Sequence, residues 1–158
     1  MTEPMTQREH EVWRAFLVMR KQLDLSLERR LQSDAGISTA DYEVLMALFN
    51  ASDKRLRTGR IAELIDWEKS RVSHQITRME SRGLVGREEC GDDARGTWIV
   101  LKPDGSRAVL GAIRHRTAAV REYFFDALTD EQLDAISAIS ACVLDTLGPA
   151  DCRDEESA

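Results

Sequence analysis

The fold of this chain is decided by residues 68–101, EKSRVSHQITRMESRGLVGREECGDDARGTWIVL. In the first half of this stretch, Val72, Ile76 and Met79 recur at i, i+4 and i+7. This spacing predicts a helix over about 68–82 with one apolar face. The opposite face carries hydroxyls, an imidazole and arginines but few carboxylates. Short side chains of this kind permit close approach to a partner, although a merely solvated face is the plain alternative.

The second half of the stretch predicts a β-hairpin. Strands are expected at 84–89 and 97–101, and the segment between them contains GDDARG. Glycines and aspartates of this kind are typical of a tight polar turn, here with Arg95 near its tip. Gly83 is the expected left-handed residue that ends the preceding helix.

Most of the remaining chain has helical patterns. The expected helices span 7–32, two shorter segments between 38 and 65, 104–127 and 130–147. Residues 50–57 are interpreted as a polar turn. The first helix is too long for a small single-layer core to cover, so we expect it to pack against something beyond its own domain.

Two sequence signatures mark helix starts. Ser38 with Asp41, and Thr129 with Gln132, have the spacing of an N-cap and its partner three residues later. Taken in order, all these elements predict a mainly α fold with a small β-hairpin wing, in which a winged helix-turn-helix lies between other helices.

Composition and the placement of charge limit the class of protein. The chain has 158 residues, 42% hydrophobic and 32% charged, and a net charge of -6, which excludes a generic basic protein that coats nucleic acid. The charge is unevenly placed. Residues 53–102 hold eleven Lys or Arg against nine Asp or Glu, a net of +2, and the remainder holds eleven against nineteen, a net of -8. The segment around the helix and hairpin is therefore mildly basic.

The chain shows no sign of secretion, membrane insertion or catalysis. No apolar run is long enough for a membrane span, and the N-terminus has no apolar signal region. Its three cysteines, Cys90, Cys142 and Cys152, form no C-x-x-C pair, which favours a reducing, cytoplasmic location. Cys142 is expected to be a small buried residue. No motif of a known enzyme class is present, so we expect no catalysis and no cofactor.

The sequence resembles the multiple-antibiotic-resistance-regulator (MarR) family of bacterial transcription factors over about residues 10–147. The matching segments are Tyr42–Leu45, Arg60–Leu64, Lys69–Glu80 and Arg82–Arg87. The most specific match is Asp92-Asp93-Ala94-Arg95-Gly96, which is similar to the family's D-x-R turn, followed by Leu101-Lys102-Pro103-Asp104-Gly105, which is similar to L-T-x-x-G.

Two positions depart from the family pattern. Lys102 stands where threonine is usual, so the helix that follows lacks a hydroxyl cap. Pro103 and Asp104 are expected to compensate in part for the missing cap. Arg57 stands where serine or threonine is common, and Thr58 is the expected substitute cap.

The resemblance implies a homodimeric DNA-binding regulator, with a repressor the first expectation. Helical dimerisation regions would span 7–35 and 103–147, the winged helix-turn-helix 38–102, and an acidic tail 148–158. Helix 68–82 would enter a major groove of double-stranded DNA and the wing an adjacent minor groove. A two-fold dimer predicts a near-palindromic operator with half-sites about 10 base pairs apart.

The candidate DNA-binding residues lie on the recognition helix, in the wing and before it. Arg71 is the expected base contact, since arginine pairs bidentately with guanine. Base or phosphate contacts are assigned to Ser70, Ser73 and His74, and phosphate contacts to Thr77, Arg78, Arg87, Lys54 and Arg55. Arg95 is expected in the minor groove, and Asp92 or Asp93 is expected to orient it.

The sequence leaves several alternatives for the signal that controls such a regulator. The family often binds an aromatic acid or phenol between its dimerisation helices and its DNA-binding part. The candidate ligand-binding residues are Trp13, Phe16, Tyr42, Trp67 and His115. Ordinary packing is the alternative explanation for each of them. The alternatives are a redox-responsive regulator acting through Cys90 or Cys152, and a winged-helix module that binds protein instead of DNA. No metal site is expected.

Overall fold

The computed structural model describes residues 3–89 and 97–148. The chain divides into two compact units, Met1–Ala119 and Val120–Ala158. The elements, in chain order, are α1 (Gln7–Ala35), α2 (Thr39–Asn50), β1 (Arg55–Arg57), α3 (Thr58–Leu64), α4 (Lys69–Ser81), β2 (Val85–Glu89), β3 (Thr97–Leu101), α5 (Pro103–Tyr123) and α6 (Asp130–Leu147). A short 3-10 helix, Phe125–Ala127, separates α5 from α6.

Two predicted helix starts have reciprocal capping boxes. Ser38 accepts a hydrogen bond from the backbone of Asp41, whose side chain accepts one from the backbone of Ser38. Thr129 and Gln132 make the same pair at α6. Gly83, with φ +72°, has the predicted left-handed conformation. These bonds satisfy backbone groups that a helix end otherwise leaves without partners.

The expected cap at α3 is wrong. The N-cap position is Arg57, which makes no side-chain cap hydrogen bond. Thr58 is instead the first residue inside the helix, one position after the N-cap. Since α3 is only seven residues long, its stability depends on packing rather than on its ends.

The segment 50–57, interpreted as a polar turn, contains a strand. β1 pairs antiparallel with β3, placing Arg55 opposite Val100 and Arg57 opposite Trp98. The sheet order is therefore β1-β3-β2. Only Leu56 of this three-residue strand is partly buried, and its arginine neighbours are exposed. A single inward residue is too short an alternation to distinguish a strand from a turn.

The core of the first unit lies between the winged-helix elements. The apolar residues predicted for α4, Val72, Ile76 and Met79, are all fully buried. They pack in one cluster with residues from α2, α3, the sheet and α5. At the start of α5, a Cβ built on Gly105 would lie 2.1 Å from the carbonyl oxygen of Leu84. Helix α5 therefore lies directly against the chain that leads from α4 into β2.

Two helices leave apolar side chains exposed in the single chain. On α1 they are Val12, Trp13, Phe16, Val18 and Met19, and on α6 they are Ile139, Val143, Leu144 and Leu147. Helix α6 has no buried residue, so the expectation that Cys142 is buried is wrong for this chain: its thiol is exposed. Despite these apolar faces, no helix in the described segments is long and apolar enough to cross a membrane.

Candidate nucleic-acid interface

The polar face of α4 is exposed over the whole length of the helix. Its members are Ser70, Arg71, Ser73, His74, Thr77 and Arg78, all of them exposed. The buried face of the same helix fixes it in the core through Val72, Ile76 and Met79. The sequence pattern therefore places the six candidates together on one rigid surface.

Two hydroxyls of this face bond to the helix itself. Ser73 Oγ donates to the carbonyl of Lys69 at 2.9 Å, and Thr77 Oγ1 donates to the carbonyl of Ser73 at 3.0 Å. Each hydroxyl oxygen can also accept hydrogen bonds. These hydroxyls can donate to a phosphate only if the side chain rotates, whereas they can accept from a base amino group without rotation.

Arg71 lies on an aromatic ring at the start of α4. Its guanidinium carbon is 3.5 Å from the centre of the Trp67 ring, which is a cation–π arrangement. Stacking occupies the face of the guanidinium and leaves its N–H edge available for bidentate pairing. The Trp67 ring therefore limits the movement of Arg71 without consuming its donors.

Arg78 and Arg87, two further arginines of the predicted site, bond to neighbouring side chains. Arg78 donates to the side-chain carbonyl of Gln75. Arg87, on β2, donates to the carboxylate of Glu80 and, at 3.1 Å, to Thr77 Oγ1. Arg87 therefore joins the hairpin to the polar face of α4, a contact that sequence spacing alone does not predict.

Lys54 and Arg55 contact other parts of the domain. Lys54 donates from Nζ to the carbonyl of Phe49 and lies 4.5 Å from the centre of its ring. Arg55 lies 5.1 Å from the centre of the Trp98 ring. Their contacts are with α2 and β3 rather than α4, so the structure does not unite them with the polar face of the recognition helix.

A buried carboxylate holds α4 in place, and sequence reasoning missed it. Asp41 is only 2% exposed. Its Oδ1 accepts from Gln75 Nε2 at 2.6 Å, and its Oδ2 accepts from Arg82 Nη1 at 2.7 Å. Arg82 also donates to the carbonyl of Gly36 at 2.7 Å. This set of bonds connects α2 with the middle and the C-terminal end of α4 and with the end of α1.

The bonds around Asp41 also set its ionisation. Burial, the largest single influence, raises the pKa of Asp41. The backbone hydrogen bond from Ser38, the hydrogen bond from Arg82 and the charge of Arg82 together outweigh burial and leave the pKa below its ordinary value. Asp41 is therefore an anion at neutral pH, and its charge stabilises the folded state.

Comparison with solved structures gives the family. AbsC, a MarR family transcriptional regulator from Streptomyces coelicolor, is 36% identical over 92% of this chain and 98% of AbsC, with a TM-score of 0.77. The chain belongs to the MarR family of transcriptional regulators. A second MarR family regulator from the same organism, solved in complex with DNA, is 32% identical over 98% of this chain and 97% of that one, with a TM-score of 0.78.

More distant MarR structures agree in fold. A mutant of MarR from E. coli complexed with operator DNA is 17% identical over 90% of this chain and 99% of that one, with a TM-score of 0.70. No family model and no curated protein sequence matches the chain. The predicted mainly α fold with a winged helix-turn-helix is confirmed.

The predicted wing tip of this MarR protein lies outside the described residues. Arg95 and its candidate orienting partners Asp92 and Asp93 fall between Glu89 and Thr97, outside the described residues. Cys90 and Cys152, the two candidates for redox sensing, and the acidic tail from residue 149 onward also lie outside it. The flanking strands pair in register, with Glu89 opposite Thr97.

The five candidate ligand residues occupy three separate places. Trp13 and Phe16 stack on each other along α1, with ring centres 5.7 Å apart. His115 Nδ1 lies 3.7 Å from a carboxylate oxygen of Asp34. Tyr42 and Trp67 line one cavity together with Arg71. This cavity brings Tyr42 and Trp67 together.

Proposed function

We propose that this MarR family protein is a sequence-specific DNA-binding transcriptional repressor. The observation that carries the proposal is the exposed polar face of α4, backed by a buried apolar face and joined to the β2–β3 hairpin by Arg87. A rigid helix with arginine, imidazole and hydroxyl groups on one side suits the major groove, where base edges present donors and acceptors. The relative solved in complex with DNA supports the same assignment.

The charge distribution fits selective rather than general binding. The segment 53–102 has a net charge of only +2 within a chain of -6. One protomer therefore offers few phosphate contacts, and useful affinity requires two protomers on one DNA molecule. Binding of such a pair is expected to weaken steeply as salt rises.

The homodimer is part of the proposal. Its support is the apolar side chains that α1 and α6 each expose in the single chain, because exposed apolar helix faces of this kind mark association sites. A two-fold pair of recognition helices then reads a near-palindromic operator. A small aromatic or phenolic effector, which favours a form unable to hold DNA, would release the operator. No catalytic step is involved.

The test is binding of the purified protein to the DNA upstream of its own gene, measured by fluorescence anisotropy at several salt concentrations. Arg71→Ala is expected to weaken specific binding by about 1–3 kcal/mol and to relax base preference. Arg78→Ala is expected to weaken all sequences alike and to reduce the salt slope by about one.

The matched control is Arg121→Ala. Arg121 is an exposed arginine on α5, 4.0 Å from Asp126, and removing it takes the same charge from the chain. Two results contradict the proposal: wild-type protein that does not prefer any sequence, and equal binding by Arg71→Ala and Arg121→Ala. Either result favours the alternative of a winged-helix module that binds protein.

A further inference from the structure

We propose that Gln75 is a positioning residue for DNA binding, whose side-chain carbonyl holds the guanidinium of Arg78 ready for the phosphate backbone. The inference rests on the proposed function, because it takes Arg78 as a phosphate contact. It gives a part in DNA binding to a side chain that is only 3% exposed and that acts through its neighbour.

The side-chain amide of Gln75 makes a hydrogen bond at each end. Its Nε2 donates to Asp41 Oδ1 at 2.6 Å, and its Oε1 accepts from Arg78 Nη2. Asp41 lies on α2, 34 residues away in the chain, whereas Arg78 lies three residues further along α4. The amide therefore bridges a buried carboxylate and an exposed arginine.

The carboxylate of Asp41 decides which way the Gln75 amide points. An ionised carboxylate accepts hydrogen bonds and donates none, so the end of the amide that faces Asp41 must be the NH₂ group. The carbonyl oxygen is then left to face Arg78, whose guanidinium is a donor only. The reversed amide would set acceptor against acceptor at one end and donor against donor at the other, and both hydrogen bonds would be lost.

Two further partners keep Asp41 in its acceptor-only form. Arg82 Nη1 donates to Asp41 Oδ2 at 2.7 Å, and the backbone N–H of Ser38 donates to the same oxygen at 2.9 Å. Burial raises the pKa of Asp41, but the Ser38 backbone and Arg82 lower that pKa by more. Oδ2 is therefore occupied by these two donors, and Oδ1 serves Gln75.

The bond to Gln75 leaves Arg78 with donors for a phosphate. A guanidinium has five N–H groups in one plane, and the contact with Gln75 is made from Nη2. Ordering a long side chain opposes binding, because its rotamer freedom is lost. Gln75 restricts Arg78 before DNA arrives and so reduces the entropy that binding must remove.

The acceptor that holds Arg78 carries no charge. Arg87, by contrast, donates to the carboxylate of Glu80, which offsets much of its positive charge. The neutral carbonyl of Gln75 restrains the guanidinium of Arg78 without cancelling its charge. A residue that attracts phosphate by its charge is better held in this way, because the charge stays available for the DNA.

The first test is DNA binding by Gln75→Met, measured by fluorescence anisotropy at several salt concentrations. Methionine is a good helix former and an unbranched side chain, but it offers Arg78 no carbonyl. We expect affinity to fall by about three- to tenfold, the effect of ordering one long side chain on binding. The factor should be the same for operator and for unrelated DNA, since a phosphate contact carries no sequence information.

Ser38→Ala is the matched control for stability. It removes the hydroxyl that accepts from the backbone of Asp41 at 3.1 Å, and it changes neither the charge of the chain nor the bond between Gln75 and Arg78. Both variants should lower the urea midpoint, but Ser38→Ala should bind DNA like wild type. Equal weakening of DNA binding by the two variants would assign the effect to lost stability and overturn the proposal.

A double variant tests whether Gln75 acts through Arg78. If it does, Gln75→Met should have much less effect on DNA affinity in the Arg78→Ala background than in wild type. The salt slope should fall by about one in Arg78→Ala and fall no further in the double variant. The same fold-loss from Gln75→Met in both backgrounds would overturn the positioning role, as would wild-type affinity of Gln75→Met itself.

A measurement without DNA separates this inference from the proposed function. NMR relaxation of the Arg78 Nε–H group should show a more restricted guanidinium in wild type than in Gln75→Met. Equal mobility in the two proteins would overturn the role of Gln75 and leave the proposed function standing. A wild type that prefers no DNA sequence would overturn the proposed function, and the role of Gln75 in DNA binding with it.

Discussion

Removal of the Asp41 carboxylate is expected to destabilise the protein and to loosen α4. Asp41→Ala leaves the 3%-exposed side chain of Gln75 without its acceptor and deprives Arg82 of its carboxylate partner. Breaking a buried ion pair costs about 3–5 kcal/mol. Arg82 is 42% exposed and regains hydration when its partner is removed, so the lower end of this range applies. We expect the free energy of unfolding to fall by about 3 kcal/mol.

Asp41→Asn is the conservative comparison. Its amide oxygen can accept from Arg82 and the Ser38 backbone, but its NH₂ then faces the NH₂ of Gln75. Rotation of the Gln75 amide relieves that contact only by presenting the NH₂ group to Arg78, which now donates to the Gln75 oxygen. One donor–donor contact therefore remains in either arrangement. We expect a loss of about 1–2 kcal/mol, the cost of one unsatisfied buried polar group.

The assay is urea denaturation at one fixed protomer concentration, since the apparent stability of an oligomer depends on concentration. The pKa of Asp41 is lowered in the folded state, so its contribution is fully present above the unfolded pKa of about 3.9 and is lost as pH falls through the lower folded pKa. The gap between wild type and Asp41→Asn should be constant from about pH 7 to 5 and narrow below about pH 4. A gap within 0.5 kcal/mol of zero at pH 7, or one that widens on acidification, would refute the reasoning.

Three further predictions concern packing, capping and the hairpin contact. Gly105→Ala places a Cβ 2.1 Å from the carbonyl oxygen of Leu84 and should cost about 1–3 kcal/mol, whereas Gly111→Ala, with no heavy atom within 4 Å of its Cβ, should stabilise α5 by about 0.5–1 kcal/mol in the same urea assay. Thr129→Ala removes the capping box of α6 and should cost about 1 kcal/mol, and an unchanged urea midpoint would exclude a stabilising cap. Arg87→Ala should reduce operator affinity in anisotropy assays while changing stability by less than about 1 kcal/mol, because its ion pair is substantially exposed; unchanged affinity would remove Arg87 from the proposed interface.

Much of the fold was predictable because its signals are local. The apolar spacing of Val72, Ile76 and Met79 lies within one helix, and all three are fully buried as that spacing predicts. The capping boxes at Ser38 and Thr129 likewise involve residues three apart and are confirmed. The same locality explains why the polar face of α4 could be outlined from the sequence.

The remaining features depend on contacts between distant segments. Asp41 meets Gln75 and Arg82 across 34 and 41 residues, and nothing in the local pattern distinguishes it from an ordinary capping aspartate. Strand β1 is defined by its pairing with β3, because its own three residues carry only one inward side chain. Arg71 stacks on Trp67, and the residue before Trp67, Asp66, has a left-handed φ of +52°. Periodicity reveals neither feature.

Hydroxyl-radical footprinting on the DNA upstream of the gene tests the central claim most directly. The wild-type protein should protect two symmetric patches about one helical turn, roughly 10 base pairs, apart, as expected for two recognition helices related by a two-fold axis. At the lowest protein concentration that saturates the wild-type footprint, protection should be reduced with Arg71→Ala and retained with Arg121→Ala. A single patch, or no protection at concentrations that saturate anisotropy, would contradict a homodimer that reads DNA through α4.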